Sequence, residues 1–169
     1  AKSATANGVR ISKTNSTESS VSFLVEETSA PSSPPPNEQP LPTQLQFNRD
    51  TLRVENLKSG TYQLTVDEKP VVTATAEEWA KGVAVDSSPA HKAAEKFRKA
   101  VNDKNLQFTY SWKALNQVHI VGERKSSPSG RALPREVIEF NELANERDAA
   151  LHGGIKLKTR RWKLSLLEK

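Results

Sequence analysis

Apolar and polar side chains alternate in several short segments of the chain, which is the pattern of a half-buried β-strand. Two such segments lie near the N-terminus, at residues 9–12 and 20–26. Three more follow one another within residues 51–73, separated by turn sequences at Lys58-Ser59-Gly60 and Asp67-Glu68-Lys69. This region predicts a three-stranded antiparallel meander, which is too small to be stable unless it packs on another element.

A short helix is predicted directly after the meander. Thr75 stands at the N-cap, Glu78 at the capping-box position, and Gly82 at the point where the helix ends. The segment between them carries Trp79, a large apolar side chain that has to be buried against a neighbouring element.

Two longer helices are predicted further along the chain. The first begins at Ser88, a capping residue followed by proline at the first helical position. Asn105 interrupts its apolar stripe, where a buried amide would need hydrogen-bond partners. The stripe is formed by Ala90, Ala94, Phe97, Val101, Phe108 and Trp112. The other helix is predicted from Pro134 to Leu151, and a short strand is expected over residues 116–122.

The segment between the N-terminal strands and the meander contains six prolines within residues 30–42. Proline fixes φ and removes a backbone donor, so this segment is predicted to be an extended linker or arm. We therefore divide the chain into an N-terminal strand pair (1–29), a Pro-rich linker (30–44) and a meander with a helical module (45–169). The fold class predicted is α+β: a small antiparallel sheet, two longer helices, a short Trp-containing helix and a C-terminal basic strand.

The C-terminal tail alternates apolar and basic residues. The pattern favours an amphipathic edge strand, whose lysines prevent pairing with another sheet. The alternative is a surface that follows an acidic polymer by charge and stacking. Its contact candidates are Lys156, Lys158, Arg160, Arg161 and Trp162.

Composition narrows the classes of function. The net charge is +5 with a pI near 9.5, but 25 basic residues are opposed by 20 acidic ones, which is typical of a solvated surface. There is no cysteine, so disulfides, thiolate metal sites and cysteine nucleophiles are excluded. There is also no methionine, from which we predict an N-terminus produced by cutting. No apolar run is long enough to span a membrane.

No assembled catalytic set is found in the sequence. The histidines are His91, His119 and His152, none at metal-site spacing from another, and a structural role is expected for each. Neither a Gly-x-Ser-x-Gly elbow nor a phosphate-binding glycine loop occurs. We therefore predict no catalytic residue, no metal and no cofactor in this chain.

Residues 52–83 carry a more specific pattern. Residues 52–67 read Leu-x-Val-x-x-Leu-x-x-Gly-x-Tyr-x-Leu-x-Val-Asp, and residues 71–83 read Val-x-Thr-Ala-Thr-Ala-Glu-Glu-Trp-Ala-Lys-Gly-Val. This order resembles the C-terminal region of SGNH (GDSL-type) hydrolases of planctomycetes and related bacteria. The resemblance covers about half of the chain, with Asn116, Gly122, Arg124 and Lys125 in register. The chain departs from the family pattern at Ala114, Gln117, His119, Glu123 and Ser126-Ser127.

The resemblance implies a non-catalytic accessory module of an exported, SGNH-type esterase-like protein, proteolytically processed from a bacterial precursor. The family's catalytic serine, oxyanion-hole residues and Asp-x-x-His motif lie upstream of this region, in a flavodoxin-like domain. The partner implied is therefore the catalytic domain or chain of the same precursor, with location in the periplasm or outside the cell. Asn116, Arg124 and Lys125 become candidates for the rim of its active site or for the interface.

Two alternatives remain at this stage. The first is a subunit of an extracellular or periplasmic assembly, with neighbouring protein subunits contacted through the Pro-rich arm and an exposed sheet edge. The second is a binding module for an anionic polysaccharide or other polyanion; we do not expect nucleic acid as the partner.

Overall fold

The computed structural model describes residues 4–32, 50–116 and 128–167, with the backbone alone at 111–116 and 128–134. Most of the predicted Pro-rich linker and most of the predicted strand at 116–122 lie outside these ranges. The fold is α+β, as predicted. Its elements are β1 (Val9–Ser16), β2 (Ser20–Glu27), β3 (Thr51–Leu52), β4 (Thr61–Val66), β5 (Lys69–Thr75), α1 (Ala76–Lys81), β6 (Val83–Ala84), α2 (Pro89–Asn116), α3 (Pro128–Leu151) and β7 (Thr159–Leu166).

Five strands form one antiparallel sheet in the order β1-β2-β7-β4-β5. The C-terminal strand β7 is therefore the central strand, and the prediction of an edge strand was wrong. Apolar and basic residues alternate in β7 because one face of this strand packs in the core and the other faces solvent. Because β2 pairs with β7, the N-terminal strand pair is continuous with the rest of the sheet, and the boundary drawn at residue 29 does not separate two sheets.

The core lies on one face of this sheet. Register places the central side chains opposite one another, with Phe23 beside Trp162 and Leu64 beside Leu164. The Phe23 and Trp162 rings are 6.1 Å apart between centroids, a favourable aromatic pair. The buried residues of the cluster are Phe23, Val25, Tyr62, Leu64, Val66, Trp79, Val85, Trp162 and Leu164.

Strands β4 and β5 form the predicted hairpin, but the first strand of the predicted meander pairs elsewhere. Strand β3 pairs with β6 in a separate two-stranded sheet rather than with β4. The reason lies in helix α1, which carries the chain from the end of β5 to β6 and thereby brings β6 beside β3. Helix α1 itself has the predicted capping box between Thr75 and Glu78 and ends at Gly82.

The chain divides into two compact units, Ala1–Glu95 with Ile155–Lys169, and Lys96–Gly154. The second unit consists of α2 from Lys96 onward and α3, which begins at Pro128, six residues before the predicted Pro134. Among the described residues, ion pairs join these helices: Arg147 Nη1 lies 3.0 Å from Asp103 Oδ2, and Lys104 Nζ lies 3.4 Å from Asp148 Oδ1.

The face of α2 that carries these ion pairs is not the predicted apolar stripe. Val101, Lys104 and Gln107, spaced three residues apart, are less exposed than their immediate neighbours, and Gln107 is buried. Phe108, by contrast, is largely exposed. Asn105 is exposed as well, so its side chain requires no buried partner. The prediction that Phe108 belongs to the covered stripe was therefore wrong, because α3 lies along the side of α2 that carries Asp103 and Lys104.

Candidate functional site

Three side chains of the first unit form a series that superficially resembles a catalytic triad: Ser88 is hydrogen-bonded to His91, and His91 lies within ion-pair distance of Asp50. Ser88 Oγ lies 2.8 Å from His91 Nδ1, and His91 Nε2 lies 3.5 Å from Asp50 Oδ2. Ser88 is only 1% exposed and His91 only 6%. This is the arrangement in the described residues that most closely matches a serine, a base and an acid in one series.

The local sequence explains how the series forms. Ser88 caps α2: its main-chain carbonyl accepts from the Lys92 amide at 3.1 Å, and its Oγ accepts from the His91 amide at 3.4 Å. His91 stands three residues after the cap, which turns its ring back toward Ser88. Asp50 leads into β3, and its main-chain carbonyl accepts from the Val85 amide at 2.8 Å. The start of β3 and the start of α2 are thereby held together.

The electrostatics of the pair follow from burial. Burial lowers the pKa of His91, although the carboxylates of Asp50 and Asp86 act in the opposite direction. Burial also raises the pKa of Asp50, with His91 lowering it and Asp86 raising it further. The folded state thus favours a neutral imidazole. The Ser88 hydroxyl then donates to Nδ1, and the proton on Nε2 points at the Asp50 carboxylate.

This arrangement cannot supply a nucleophile as it stands. A serine nucleophile has to reach a substrate carbonyl, whereas Ser88 Oγ is buried and already accepts the helix-capping bond. We therefore assign Ser88 a structural role in this conformation. His152 is exposed at the end of α3, where its Nε2 lies 3.1 Å from Asp148 Oδ2, and His119 lies outside the described residues.

A second group of charges lies at the end of the sheet. Arg160 Nη1 lies 2.9 Å from Asp67 Oδ2, and Arg160 Nε lies 3.6 Å from Glu27 Oε1. The side chains of Arg160 and Glu27 are 11% and 10% exposed. Burial raises the pKa of Glu27, while Arg160 lowers it and Asp50 and Asp67 raise it. The other oxygen of Asp67 accepts from the Arg161 amide at 3.0 Å, so this group fixes the β4–β5 turn on β7.

A groove runs between the β1–β2 hairpin and residues 50–58. Its floor is apolar and half-buried, with Ile11, Val21 and Leu52 among the lining residues. An ion pair crosses it at one place, where Lys58 Nζ lies 2.6 Å from Glu18 Oε2. Glu27 and Asp50 also line the groove, so both charge groups described above border it.

The residues predicted for function are spread over the molecule. Asn116 is the last residue of α2, while Arg124 and Lys125 lie outside the described residues. Of the candidates for polyanion contact, Lys156, Lys158 and Arg161 are exposed. Trp162 is 8% exposed within the core, and Arg160 is bound to Glu27 and Asp67.

Sequence reasoning did not find the Ser88–His91–Asp50 series or the Arg160 group. Asp50 lies far along the chain from Ser88 and His91, and Glu27, Asp67 and Arg160 are likewise far apart in sequence. Only the pairing of β7 between β2 and β4 and of β3 with β6 brings the members of each group together. The capping pattern at Ser88 was the one local signal.

Neither a metal-binding cluster nor a membrane-spanning helix is found in the described part of the chain. Within residues 4–32, 50–116 and 128–167, no three His, Cys, Asp or Glu side chains converge in a way that could hold a metal ion. In the same ranges, no helix combines the length and apolar character that a membrane span requires.

Comparison with known proteins identifies a fold relationship. No family model matches the chain, and no curated protein matches it. A solved structure, that of BT4096, a gut microbial diltiazem-metabolizing enzyme, matches it with a TM-score of 0.68 at 15% identity. The match covers 96% of this chain and 47% of that enzyme. The two therefore share a fold, and this chain spans about half the length of the enzyme.

Proposed function

We propose that this chain is a non-catalytic accessory module of a larger, exported SGNH-type esterase-like protein, in which it packs on the catalytic domain of the same precursor. The observation that carries the proposal is the fold match: nearly the whole chain corresponds to about half of an enzyme. A module of this kind completes the structure of a protein whose chemistry, ester hydrolysis through an activated serine, takes place in the other part.

The burial and the hydrogen bonds of Ser88 support a non-catalytic role for this chain. Its hydroxyl is buried and engaged by His91, and it holds the first turn of α2 in place. A side chain used in this way stabilises the module rather than attacking a substrate. The proposal accordingly places the nucleophile in the other part of the precursor.

The second unit offers apolar area for contact with a catalytic domain. Its two helices are joined through ion pairs at Asp103 and Lys104, and several large apolar side chains remain exposed. Leu106 is 51%, Tyr110 50% and Ile138 59% exposed. Exposed apolar side chains of this size are favourable contact sites, because their burial releases water from apolar surface. Asn116, Arg124 and Lys125 would then lie at the rim of the partner's active site.

Serine-directed labelling tests the proposal. The full-length precursor and the present chain are each treated with a fluorophosphonate probe and assayed with p-nitrophenyl acetate. The precursor is expected to hydrolyse the ester and to carry the label outside the present chain, whereas the present chain gives the uncatalysed rate. Ser88→Ala in the precursor serves as the matched variant and is expected to be labelled as the parent is. A label on Ser88, or a precursor without esterase activity, would contradict the proposal.

Binding of a polyanion is the second candidate, and one observation favours it. The exposed face of β7 presents Arg161 and Lys163, neither of which forms an ion pair with a carboxylate in the described residues. Lys156 and Lys158 precede them and are also exposed. Retention on heparin at low ionic strength, lost in an Arg161→Ala, Lys163→Ala double variant but kept in Arg53→Ala, would support this function. No retention at low salt would remove it.

A further inference from the structure

In the Ser88–His91–Asp50 series, the single proton of the Ser88 hydroxyl is matched to an unprotonated His91 Nδ1. Ser88 Oγ accepts from the His91 amide and donates to His91 Nδ1. His91 Nε2 carries the ring proton toward Asp50 Oδ2. A hydroxyl has one proton to donate, and here that proton requires an unprotonated Nδ1.

A second proton on the ring therefore disrupts the contact with Ser88. Nδ1–H would point at Oγ, and the hydroxyl proton would have to turn away from the ring. Ser88 is 1% exposed, so the displaced hydroxyl proton has no solvent to meet. A buried donor without an acceptor is unfavourable, and so is a cation at a site where the ring is 6% exposed.

The carboxylates near the His91 ring favour its protonation, but less strongly than burial disfavours it. Asp50, at the start of β3, and Asp86, in the segment before α2, both favour the charged imidazole. Glu27, on β2, interacts with Asp50 in turn and has Arg160 as its own partner. The burial of His91 outweighs the two carboxylates.

We propose that Ser88, His91 and Asp50 form an acid-sensitive latch: protonation of His91 releases the start of α2 from the start of β3. The latch closes a junction within the first unit, where the Val85 amide donates to Asp50 and the Lys92 amide donates to Ser88. Opening separates the two ends of this junction, including the Val85 amide, while the strands of the five-stranded sheet remain paired. The proposal is independent of the esterase assignment.

The sign of the pH dependence follows from proton binding. The open form has an ordinary imidazole and takes up a proton before the closed form does, so acid favours opening. The latch is therefore closed above about pH 6.5, the ordinary value for histidine, and it opens as the pH falls below that value. One linked proton changes the opening constant by up to about tenfold per pH unit.

Amide hydrogen exchange between pH 7.5 and 5 tests the latch on the chain as it stands. After correction for intrinsic rates, the opening constants of the Val85 and Lys92 amides are expected to rise up to about tenfold per pH unit below pH 6.5. The amide of Leu164 in the central strand is the internal reference and is expected to change little. His152→Gln, which alters an exposed histidine, should leave the rise intact.

The variant His91→Gln removes the titrating group and is expected to abolish the pH-dependent rise. If this variant does not fold, the NMR titration of the His91 ring in the parent decides the matter on its own. A ring that titrates at or above pH 6.5, opening constants that stay flat as the pH falls, or an equal rise in His91→Gln would each overturn the latch.

Discussion

The indole Nε1 of Trp79 donates a hydrogen bond to the main-chain carbonyl of Tyr62 across 3.4 Å in the interior of the first unit. Both residues are at most 1% exposed. Helix α1 is only six residues long, and a helix of that length is not stable on its own. Trp79 therefore fixes α1 on β4 through both the buried ring and this hydrogen bond.

Replacing Trp79 separates these two contributions. Trp79→Phe keeps an aromatic ring but removes the donor and part of the volume, so a loss of ~2 kcal/mol in the free energy of unfolding is expected. Trp79→Ala is expected to cost ~4 kcal/mol, because it also leaves a large cavity. Urea denaturation at pH 7 measures both. Equal stability of Trp79→Phe and the parent would show that the indole donor and the extra volume of the indole contribute little.

Arg160 is expected to offset the free-energy cost of burying the Glu27 carboxylate in the sheet. Arg160→Ala leaves the Glu27 carboxylate largely buried without its cation, at a cost of ~3 kcal/mol in the free energy of unfolding at pH 7. Arg160 lowers the pKa of Glu27 in the parent, so its removal raises that pKa and lets Glu27 bind a proton on folding. The variant should therefore regain stability as the pH falls from 7 to 5.

A matched comparison for Arg160 is available on the same sheet. Arg10 pairs with Glu26 at 3.7 Å with side chains 74% and 53% exposed. Arg10→Ala should change the free energy of unfolding by less than ~0.5 kcal/mol and should not respond to pH in this way. A loss equal to that of Arg160→Ala would contradict the importance of burial.

The capping box of α1 predicts a separate acid sensitivity. The Thr75 amide and hydroxyl donate to Glu78 Oε2 at 2.8 and 2.9 Å, and these hydrogen bonds lower the pKa of Glu78. A carboxylate with a lowered pKa stabilises the folded state above its ordinary value of 4.5, and this contribution is lost as the pH falls through the lowered value. Glu78→Gln should therefore reduce the acid dependence of stability below pH 4.5.

The control for Glu78 stands beside it in the same turn. Glu77 is acidic and exposed but lies outside the capping box, so Glu77→Gln should leave the acid dependence as it is in the parent. Stability measured by urea denaturation at several pH values between 3 and 6 decides the point. An unchanged pH profile in Glu78→Gln would argue against the role of the box.

The proposed active-site rim predicts a kinetic effect in the precursor. Asn116→Ala and Arg124→Ala are expected to lower kcat/KM for ester hydrolysis by about tenfold, which corresponds to ~1.4 kcal/mol of lost transition-state binding. Lys92→Ala, on the exposed side of the start of α2, provides the control. Unchanged kcat/KM in both rim variants would remove these residues from the proposed site.

Local patterns in the sequence predicted the local structure well. The capping box at Thr75, the start of α2 at Ser88, the β4–β5 hairpin and the basic strand β7 all carry signals within a few residues. The position of β7 in the sheet was not predictable in this way. Period-two alternation indicates which face of a strand is buried, but it does not specify which strands lie on either side.

The contacts within the two charge groups, and the side of α2 that is buried, were likewise not predictable from local sequence patterns. Arg160 points inward because Glu27 on β2 and Asp67 in the β4–β5 turn, both distant in sequence, pair with it there. Phe108 fits the apolar stripe of α2, yet it is exposed because the polar side with Asp103 and Lys104 faces α3. Helical periodicity identifies apolar stripes, but contacts between helices decide which stripe is covered.

The central claim, that this chain is a module packed on a catalytic domain, is tested most directly by polar substitutions of its exposed apolar side chains. Leu106→Gln and Ile138→Gln alter side chains that are 51% and 59% exposed, so in the present chain they should change the free energy of unfolding by less than ~0.5 kcal/mol. In the full-length precursor each should lower it by ~2 kcal/mol, because the proposal has the same side chains packed against the catalytic domain. Equal, small effects in both proteins would contradict the account.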